Sequence, residues 1–356
     1  MTVFACACCG ATLTVPVARV PLPAHADAHV NPHSGHELLG VLMEPGTYAV
    51  RPYAYGPPFH PWAEVGEVEA AARGVYAPVY SVPYGPAGAV AVASGDVRGT
   101  VFIPDRLVGC LGLNGGAGPN VACAQCGTAV ATYVDDCECW QAVWLDPRVV
   151  RSVPGEPATD PPLGWETLRR CRPGTPPVQP DGRWDSRWEA AAAVALAQLL
   201  AASGGAPVIV PDGPVADAFR GALDVLLPPG PAARALALAG PGLPAVSADI
   251  ALVPQHPQTG EHWPQVGAVT AVPLAWDTWA FLAFHRDRDR RIVQGGGSLR
   301  DEIHRDYPPA PLPTARTFHL DRSLFLFTLA RLPEVRLPWL RAIYDRLNLR
   351  NGPAPF

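Results

Sequence analysis

Lysine is absent from this sequence, so all 27 basic residues among its 356 are arginine. Four kinds of site depend on one particular lysine: Schiff-base mechanisms, pyridoxal phosphate enzymes, P-loops and protein kinases. The missing lysine excludes all four unless another residue takes over its role. So strong a bias also indicates a GC-rich bacterial genome.

Other signatures are missing as well. The chain has no catalytic-serine elbow, no His-Glu-x-x-His metalloprotease helix and no phosphate-binding fingerprint. Residues 1–6 lack the charged and apolar regions of a secretory signal. The longest apolar helix candidate, 190–202, is shorter than the roughly 20 residues that cross a bilayer. We therefore expect a cytoplasmic protein without a membrane partner.

Charge is scarce and unevenly distributed. Charged residues make up 17% of the chain against 48% hydrophobic residues, a composition typical of globular proteins. Residues 1–284 carry 14 arginines against 24 acidic residues, whereas residues 285–356 carry 13 arginines against 8. A basic tail can meet nucleic acid, but the interspersed acidic residues partly cancel its field. We therefore do not expect nucleic acid as a partner.

Proline and glycine divide the chain into regions. Proline is densest in residues 151–182, which predicts a semi-rigid linker. Before it, residues 1–150 combine short strand-like runs with turns and predict a β-rich domain. After it, residues 183–356 alternate short apolar strands with helices, the pattern of an α/β domain with a mostly parallel sheet. The C-terminal end of this domain is rich in arginine, and its sequence predicts helices. The predicted fold class is therefore a two-domain α/β protein.

The strongest motif is a pair of Cys-x-x-Cys-Gly knuckles, Cys6 to Cys9 and Cys123 to Cys126. Each knuckle precedes a strand-like run, 11–15 in the first case and 128–134 in the second. Two such turns can present four thiolates at the corners of a tetrahedron, the arrangement that a structural Zn²⁺ prefers. In a reducing compartment the nine cysteines favour metal ligands over disulfides. The sequence therefore predicts one zinc ion held by these four cysteines.

This pair of motifs resembles the knuckles of the zinc-ribbon group of domains. The resemblance covers about twenty residues in two pieces. It departs from the usual ribbon in the long segment, 10–122, between the knuckles and in lacking the proline often found inside them. It implies a metal ion and a local geometry, not an activity. Because it lies between the two halves of the site, segment 10–122 is expected to carry some core of its own.

Other cysteines and histidines leave alternatives open. Cys8 lies inside the first knuckle and can replace Cys6 as a ligand. A second metal site can use Cys110, Cys137 and Cys139, although free cysteines are also common as small buried residues. A cluster of four histidines has the spacing of metal ligands or of residues that cap turns. His33 or His36 can also replace a cysteine as a ligand of the first metal ion. The members of the cluster are His25, His29, His33 and His36.

Three polar residues follow predicted strands of the second half: Asp212, His256 and Asp277. In open parallel sheets ligands bind beyond the carboxyl ends of the strands, so these three are the candidate catalytic acid–base groups. Asp212 precedes Gly213 and Pro214, which is also ordinary turn chemistry. Another candidate is an anion site at the glycine run 295–297, where the alternative is a helix cap.

These observations predict a protein with structural zinc that acts as a binding or scaffold module for a protein or small-molecule partner. The alternative is an enzyme that acts on a small polar substrate in the crevice of the α/β domain, with or without help from a metal.

Overall fold

A computed structural model of the chain describes residues 1–28, 38–157, 161–172, 174–177, 184–230, 233–265, 267–284 and 320–348. Helices and mixed sheets are both present, which confirms the α/β class at that level. The chain divides into two compact units. The N-terminal unit comprises Met1–Pro162, Pro257–Gly260 and Leu329–Leu337, and the C-terminal unit comprises Leu163–His256, Glu261–Thr328 and Pro338–Phe356. No helix among the described residues is long and apolar enough to cross a membrane.

The N-terminal unit is built from sheets. A seven-stranded sheet has the strand order β2-β3-β6-β10-β9-β8-β7, and two pairs, β1-β11 and β4-β5, accompany it. The strands are β1 (Thr2–Cys6), β2 (Ala18–Arg19), β3 (Thr47–Val50), β4 (Phe59–Pro61), β5 (Ser81–Pro83), β6 (Val90–Val92), β7 (Thr100–Phe102), β8 (Val121–Cys123), β9 (Ala129–Val134), β10 (Ala142–Leu145) and β11 (Val150–Pro154). Two short helices, α1 (Trp62–Val65) and α2 (Glu67–Ala72), lie between β4 and β5.

Strand β11 lies in the segment that proline density predicts to be linker. It pairs antiparallel with β1 along its whole length, from Cys6 opposite Val150 to Thr2 opposite Pro154. A proline is tolerated there because it closes the end of a two-stranded pair. The N-terminal unit accordingly extends to Pro162, beyond the boundary predicted at residue 150.

The core of the N-terminal unit includes two of the predicted ligands. Cys6 and Cys123 are fully buried in an apolar cluster with Leu13, Val130 and Leu145. The segment between the knuckles contributes β2, β3, β6 and β7 to the seven-stranded sheet. It also has a small core of its own, centred on Ala70, Val75 and Val82.

A buried ion pair lies beside this sheet. Arg51 Nη2 lies 2.8 Å from Asp27 Oδ1, and both side chains are almost fully buried. The Arg51 guanidinium is 3.9 Å from the ring centroid of Tyr55 and 3.7 Å from that of Trp144. The Tyr53 hydroxyl donates a hydrogen bond to Asp27 Oδ2. Removing either charged partner would leave the other charge buried and uncompensated, which is strongly destabilising.

The C-terminal unit contains a four-stranded sheet in the order β12-β13-β14-β15, whose neighbouring strands all run parallel. The strands are β12 (Val208–Ile209), β13 (Arg234–Leu238), β14 (Ile250–Gln255) and β15 (Thr270–Ala275). The helices are α3 (Trp165–Cys171), α4 (Ser186–Ser203), α5 (Pro214–Leu226) and α6 (Trp276–Phe284). Two more helices follow in the chain: α7 (Arg322–Arg331), whose residues from Leu329 onward belong to the N-terminal unit, and α8 (Pro338–Asn348).

Helix α4 is defined by local signals at both ends. The Asp185 side chain accepts hydrogen bonds from the amides of Arg187 and Trp188, which caps the helix N-terminus. At the other end Gly204 adopts the left-handed conformation, with φ of 61°. An aspartate before the first turn and a glycine after the last turn are the residue types that start and stop helices.

The first turn of α4 contains a half-buried acidic residue, Glu189. Partial burial, together with the neighbouring carboxylates of Asp321 and Asp185, raises the pKa of Glu189 from 4.5 to about 8. The folded chain therefore keeps this proton up to about pH 8, whereas the unfolded chain releases it near pH 4.5. Stability from this group is greatest at low pH and falls as the pH rises between these two values.

We predict that Glu189→Gln reduces the pH dependence of stability. Between pH 5 and pH 8.5 the wild-type chain should lose about 2–4 kcal/mol that the glutamine variant retains, because glutamine stays neutral. Urea unfolding followed by tryptophan fluorescence at several pH values measures this difference. The control is Glu166→Gln, since Glu166 is exposed and pairs with Arg169 on the surface. Parallel stability curves for the wild type and Glu189→Gln would contradict the prediction.

Candidate metal centre

The first knuckle is the tip of a hairpin that begins with β1. The Cys6 amide donates to the Ala11 carbonyl at 2.8 Å, and the Gly10 amide donates back to the Cys6 carbonyl at 2.9 Å. Gly10 has a φ of 77°, a conformation that favours glycine. The run 11–15 after this knuckle forms isolated bridges at Thr12 and Thr14 rather than a continuous strand.

The second knuckle repeats this backbone arrangement between β8 and β9. The Cys123 amide donates to the Thr128 carbonyl at 2.8 Å, and the Gly127 amide donates to the Cys123 carbonyl at 2.9 Å. Gly127 has a φ of 73°. The two knuckles are therefore two copies of one turn, each starting at the last residue of a strand.

The two copies bring four sulfur atoms together. Cys6 Sγ lies 3.6 Å from Cys126 Sγ, and Cys9 Sγ lies 3.6 Å from Cys123 Sγ. All four atoms lie within 4.8 Å of one another. A Zn–S bond of about 2.3 Å in a tetrahedron requires sulfurs about 3.8 Å apart, while a disulfide requires about 2.05 Å. The spacing therefore fits four thiolates around one metal ion.

The four cysteines differ in their exposure. In each knuckle the first cysteine, Cys6 or Cys123, is fully buried and belongs to the apolar core. The second is nearer to solvent: Cys9 is half-buried and Cys126 is exposed. A metal ion at this place would have two ligands anchored in the core and two at the surface.

The four-thiol group lies where the β1-β11 pair meets the seven-stranded sheet. Two backbone hydrogen bonds of 2.8–2.9 Å, from Val15 N to Asp96 O and from Arg98 N to Leu13 O, link the run after the first knuckle to the segment between β6 and β7. Two others each extend one sheet: Ala7 N to Val149 O continues the β1-β11 pair, and Ala124 N to Gly99 O continues the β7-β8 pair.

Hydrogen bonds and burial shift the thiol pKa values in opposite directions. The hydrogen bond between Cys126 Sγ and Thr128 Oγ1, which are 3.3 Å apart, and the hydrogen bond from the Thr128 amide lower the pKa of Cys126 to about 6. At Cys9 the Ala11 amide lowers the pKa, but burial and the three neighbouring thiols outweigh it and raise the pKa to about 12. A cation is needed before all four groups can be thiolates together.

A second group of donors consists of Cys110, Asp136 and Cys137, whose ligand atoms also lie within 4.8 Å of one another. Cys139 lies on the same turn but is not a member of this group. Desolvation raises the pKa of Cys137, and its hydrogen bond with Cys110 adds to the rise. The site predicted from the sequence uses Cys110, Cys137 and Cys139, whereas the structure groups two of these cysteines with the buried Asp136.

The remaining candidate ligands either belong to neither of these donor groups or lie outside the described residues. Cys8 is exposed and is not among the four grouped thiols. The His25 ring packs on Trp140, with centroids 4.3 Å apart. His29, His33 and His36 lie outside the described residues, as does the glycine run 295–297.

The three candidate acid–base residues of the C-terminal unit have different surroundings. Asp212 is exposed and forms an ion pair of 2.6 Å with Arg220. His256 is buried, with its Nε2 2.8 Å from the Leu163 carbonyl oxygen. Asp277 lies in the first turn of α6, where burial raises its pKa. Their shared catalytic role stays a prediction.

No family model, no curated protein and no solved structure matches the chain. Its function is therefore inferred from the geometry described above.

We predict that Thr128→Val weakens metal binding at the four-thiol group. Loss of the hydroxyl removes a hydrogen bond that stabilises the Cys126 thiolate, so zinc affinity should fall about tenfold and zinc should be released at a higher pH. A colorimetric zinc indicator during acid titration measures the release. Thr128→Ser keeps the hydroxyl and should behave like the wild type. Equal release curves for all three proteins would contradict the role of Thr128.

Proposed function

We propose that the chain is a cytoplasmic zinc protein in which Cys6, Cys9, Cys123 and Cys126 hold one structural Zn²⁺. The observation that carries this proposal is the mutual proximity of the four Sγ atoms. In this proposal the N-terminal unit is a zinc-stapled domain that acts as a binding or scaffold module, and the C-terminal unit is a separate α/β domain. Thiolate ligands persist in a reducing compartment, which accords with the cytoplasm.

The donor set supports zinc over other metals and a structural role over a catalytic one. Four thiolates in a tetrahedron suit Zn²⁺ or an iron–sulfur centre, and carboxylate-preferring ions such as Mg²⁺ and Ca²⁺ are disfavoured. Catalytic zinc sites keep one position open, whereas four cysteines close the coordination sphere. Arg151 Nη2 lies 3.4 Å from where a Cβ at Gly10 would be, so its positive charge is near enough to offset the negative charge of four thiolates.

A cavity in the N-terminal unit supports the binding role. Its volume is about 430 Å³, within the range of small-molecule sites. The lining is mainly apolar, with one arginine and one serine: Phe4, Tyr48, Val50, Val90, Leu145, Pro147, Val150, Arg151 and Ser152. Because an apolar wall accompanies a single positive charge, the proposed partner is a small apolar molecule that carries an acidic group.

We predict that Cys9→Ser and Cys126→Ser abolish stoichiometric zinc binding at this site and destabilise the N-terminal unit by more than about 3 kcal/mol, because zinc-binding energy contributes to folding. Hydrogen exchange of β1, β8 and β9, together with zinc content per chain, measures both effects. Cys171→Ser is the matched control, since Cys171 is an exposed thiol on α3. If either ligand variant kept wild-type exchange protection, the zinc would not be structural.

We predict that the cavity binds decanoate, with one molecule per chain. Arg151→Gln should weaken decanoate binding about fivefold through loss of a surface charge contact, while decanol binding stays unchanged. Isothermal titration calorimetry with zinc-loaded protein measures both ligands, and zinc content confirms that the variant keeps its metal. Arg106→Gln controls for general charge effects. Absence of saturable binding, or equal weakening by the two arginine variants, would count against the cavity as the binding site.

A further inference from the structure

The carboxylate of Asp136 organises a loop that belongs to neither knuckle. Its Oδ2 accepts hydrogen bonds from the amides of Leu111 at 3.1 Å and Leu113 at 3.2 Å. Its Oδ1 accepts one from the amide of Cys137 at 2.7 Å. The side chain is almost completely buried. A single carboxylate thus ties loop 108–113 to the turn that carries Cys137.

The backbone around Cys110 is shaped to approach this carboxylate. Gly109 has a φ of 112°, and a Cβ built on it would lie only 2.2 Å from Asp136 Oδ2. A side chain at residue 109 would therefore push the loop away. The Asp135 amide also donates to the Leu113 carbonyl at 2.9 Å, which joins the same two segments a second time. These constraints hold the Cys110 thiol near the Cys137 thiol.

Asp136 retains capacity for a cation. An ionised carboxylate has about four lone-pair positions, and the three amides occupy three of them. Within the part of the chain that the structure describes, no arginine or histidine forms an ion pair with this buried carboxylate. Among the described residues Oδ1 accepts one hydrogen bond, from the Cys137 amide, so it is the oxygen with a lone pair left for a cation. A buried negative charge next to two thiols is suited to a positive ion.

We propose that Cys110, Asp136 and Cys137 form a second metal site, which binds Zn²⁺ through two thiolates and one carboxylate oxygen. The three donor atoms lie within 4.8 Å of one another, as the donors of one metal ion must. Three protein ligands leave a fourth position open to water or to a small ligand. This site is distinct from the four-cysteine site and does not depend on it.

The second site differs from the first in the rate at which it exchanges metal. It has two thiolates rather than four, and Cys110 is exposed to solvent. Because of both properties, a chelator can reach the ion while the protein ligands still hold it. The metal of this site therefore leaves first, whereas the four-cysteine site keeps its own.

The test is a zinc titration of the full reduced chain under anaerobic conditions, with metal content measured after gel filtration. The wild type is expected to bind two zinc ions, of which a mild chelator removes one quickly. Cys110→Ala is expected to bind one zinc ion and to lose the rapid phase; with one equivalent of zinc on each protein its melting temperature should equal that of the wild type, because the side chain is exposed. Cys8→Ala, which removes an exposed thiol beside the first site, is the matched control and is expected to retain both ions.

Cobalt supplies a readout that stoichiometry alone does not. The second equivalent of Co²⁺ is expected to add a thiolate charge-transfer band of about half the intensity of the first, because two thiolates replace four. Binding of only one metal ion by the reduced wild type would overturn the proposal. Retention of two ions by Cys110→Ala would also overturn it. A Cys110–Cys137 disulfide found by mass spectrometry, together with a single metal ion in the reduced chain, would assign the pair to redox chemistry instead.

Discussion

The proximity of four thiols at the junction of two sheets is the constraint on which the N-terminal unit depends. Cys6 ends β1 and Cys123 ends β8, so the site fixes the ends of one strand from each sheet. Both sulfurs are buried in the same apolar core. Four thiols this close cannot all ionise without a cation, and burial makes the unligated state costly. Binding of the proposed metal ion would therefore be linked to core packing and to sheet register.

Local signals in the sequence are sufficient for part of this structure. The spacing Cys-x-x-Cys-Gly encodes a turn whose glycine adopts positive φ, and the chain uses that turn twice. Asp185 and Gly204 mark the two ends of α4, and Pro214 begins α5 as its fixed φ allows. In each case a few consecutive residues contain the whole physical cause, so the element can be predicted without knowing the rest of the fold.

Other features depend on partners that are distant in sequence. Proline density predicts a linker after residue 150, yet β11 forms there because β1 supplies its hydrogen bonds. The role of Asp136 arises from amides at residues 111 and 113, which only folding brings near. Asp212 follows a strand as predicted, but Arg220, eight residues later, forms an ion pair with it at the surface. Hydrogen bonds and ion pairs of this kind leave no pattern in consecutive residues, so the sequence alone does not predict them.

The most direct test of the account is zinc K-edge X-ray absorption of the reduced full chain loaded with one equivalent of zinc. Four sulfur neighbours at about 2.3 Å, with no lighter ligand, are the predicted result. The same spectrum should persist in Cys110→Ala, since the first equivalent occupies the four-cysteine site. A mixed shell of sulfur with nitrogen or oxygen would contradict a closed four-thiolate centre, and with it the structural role of the metal.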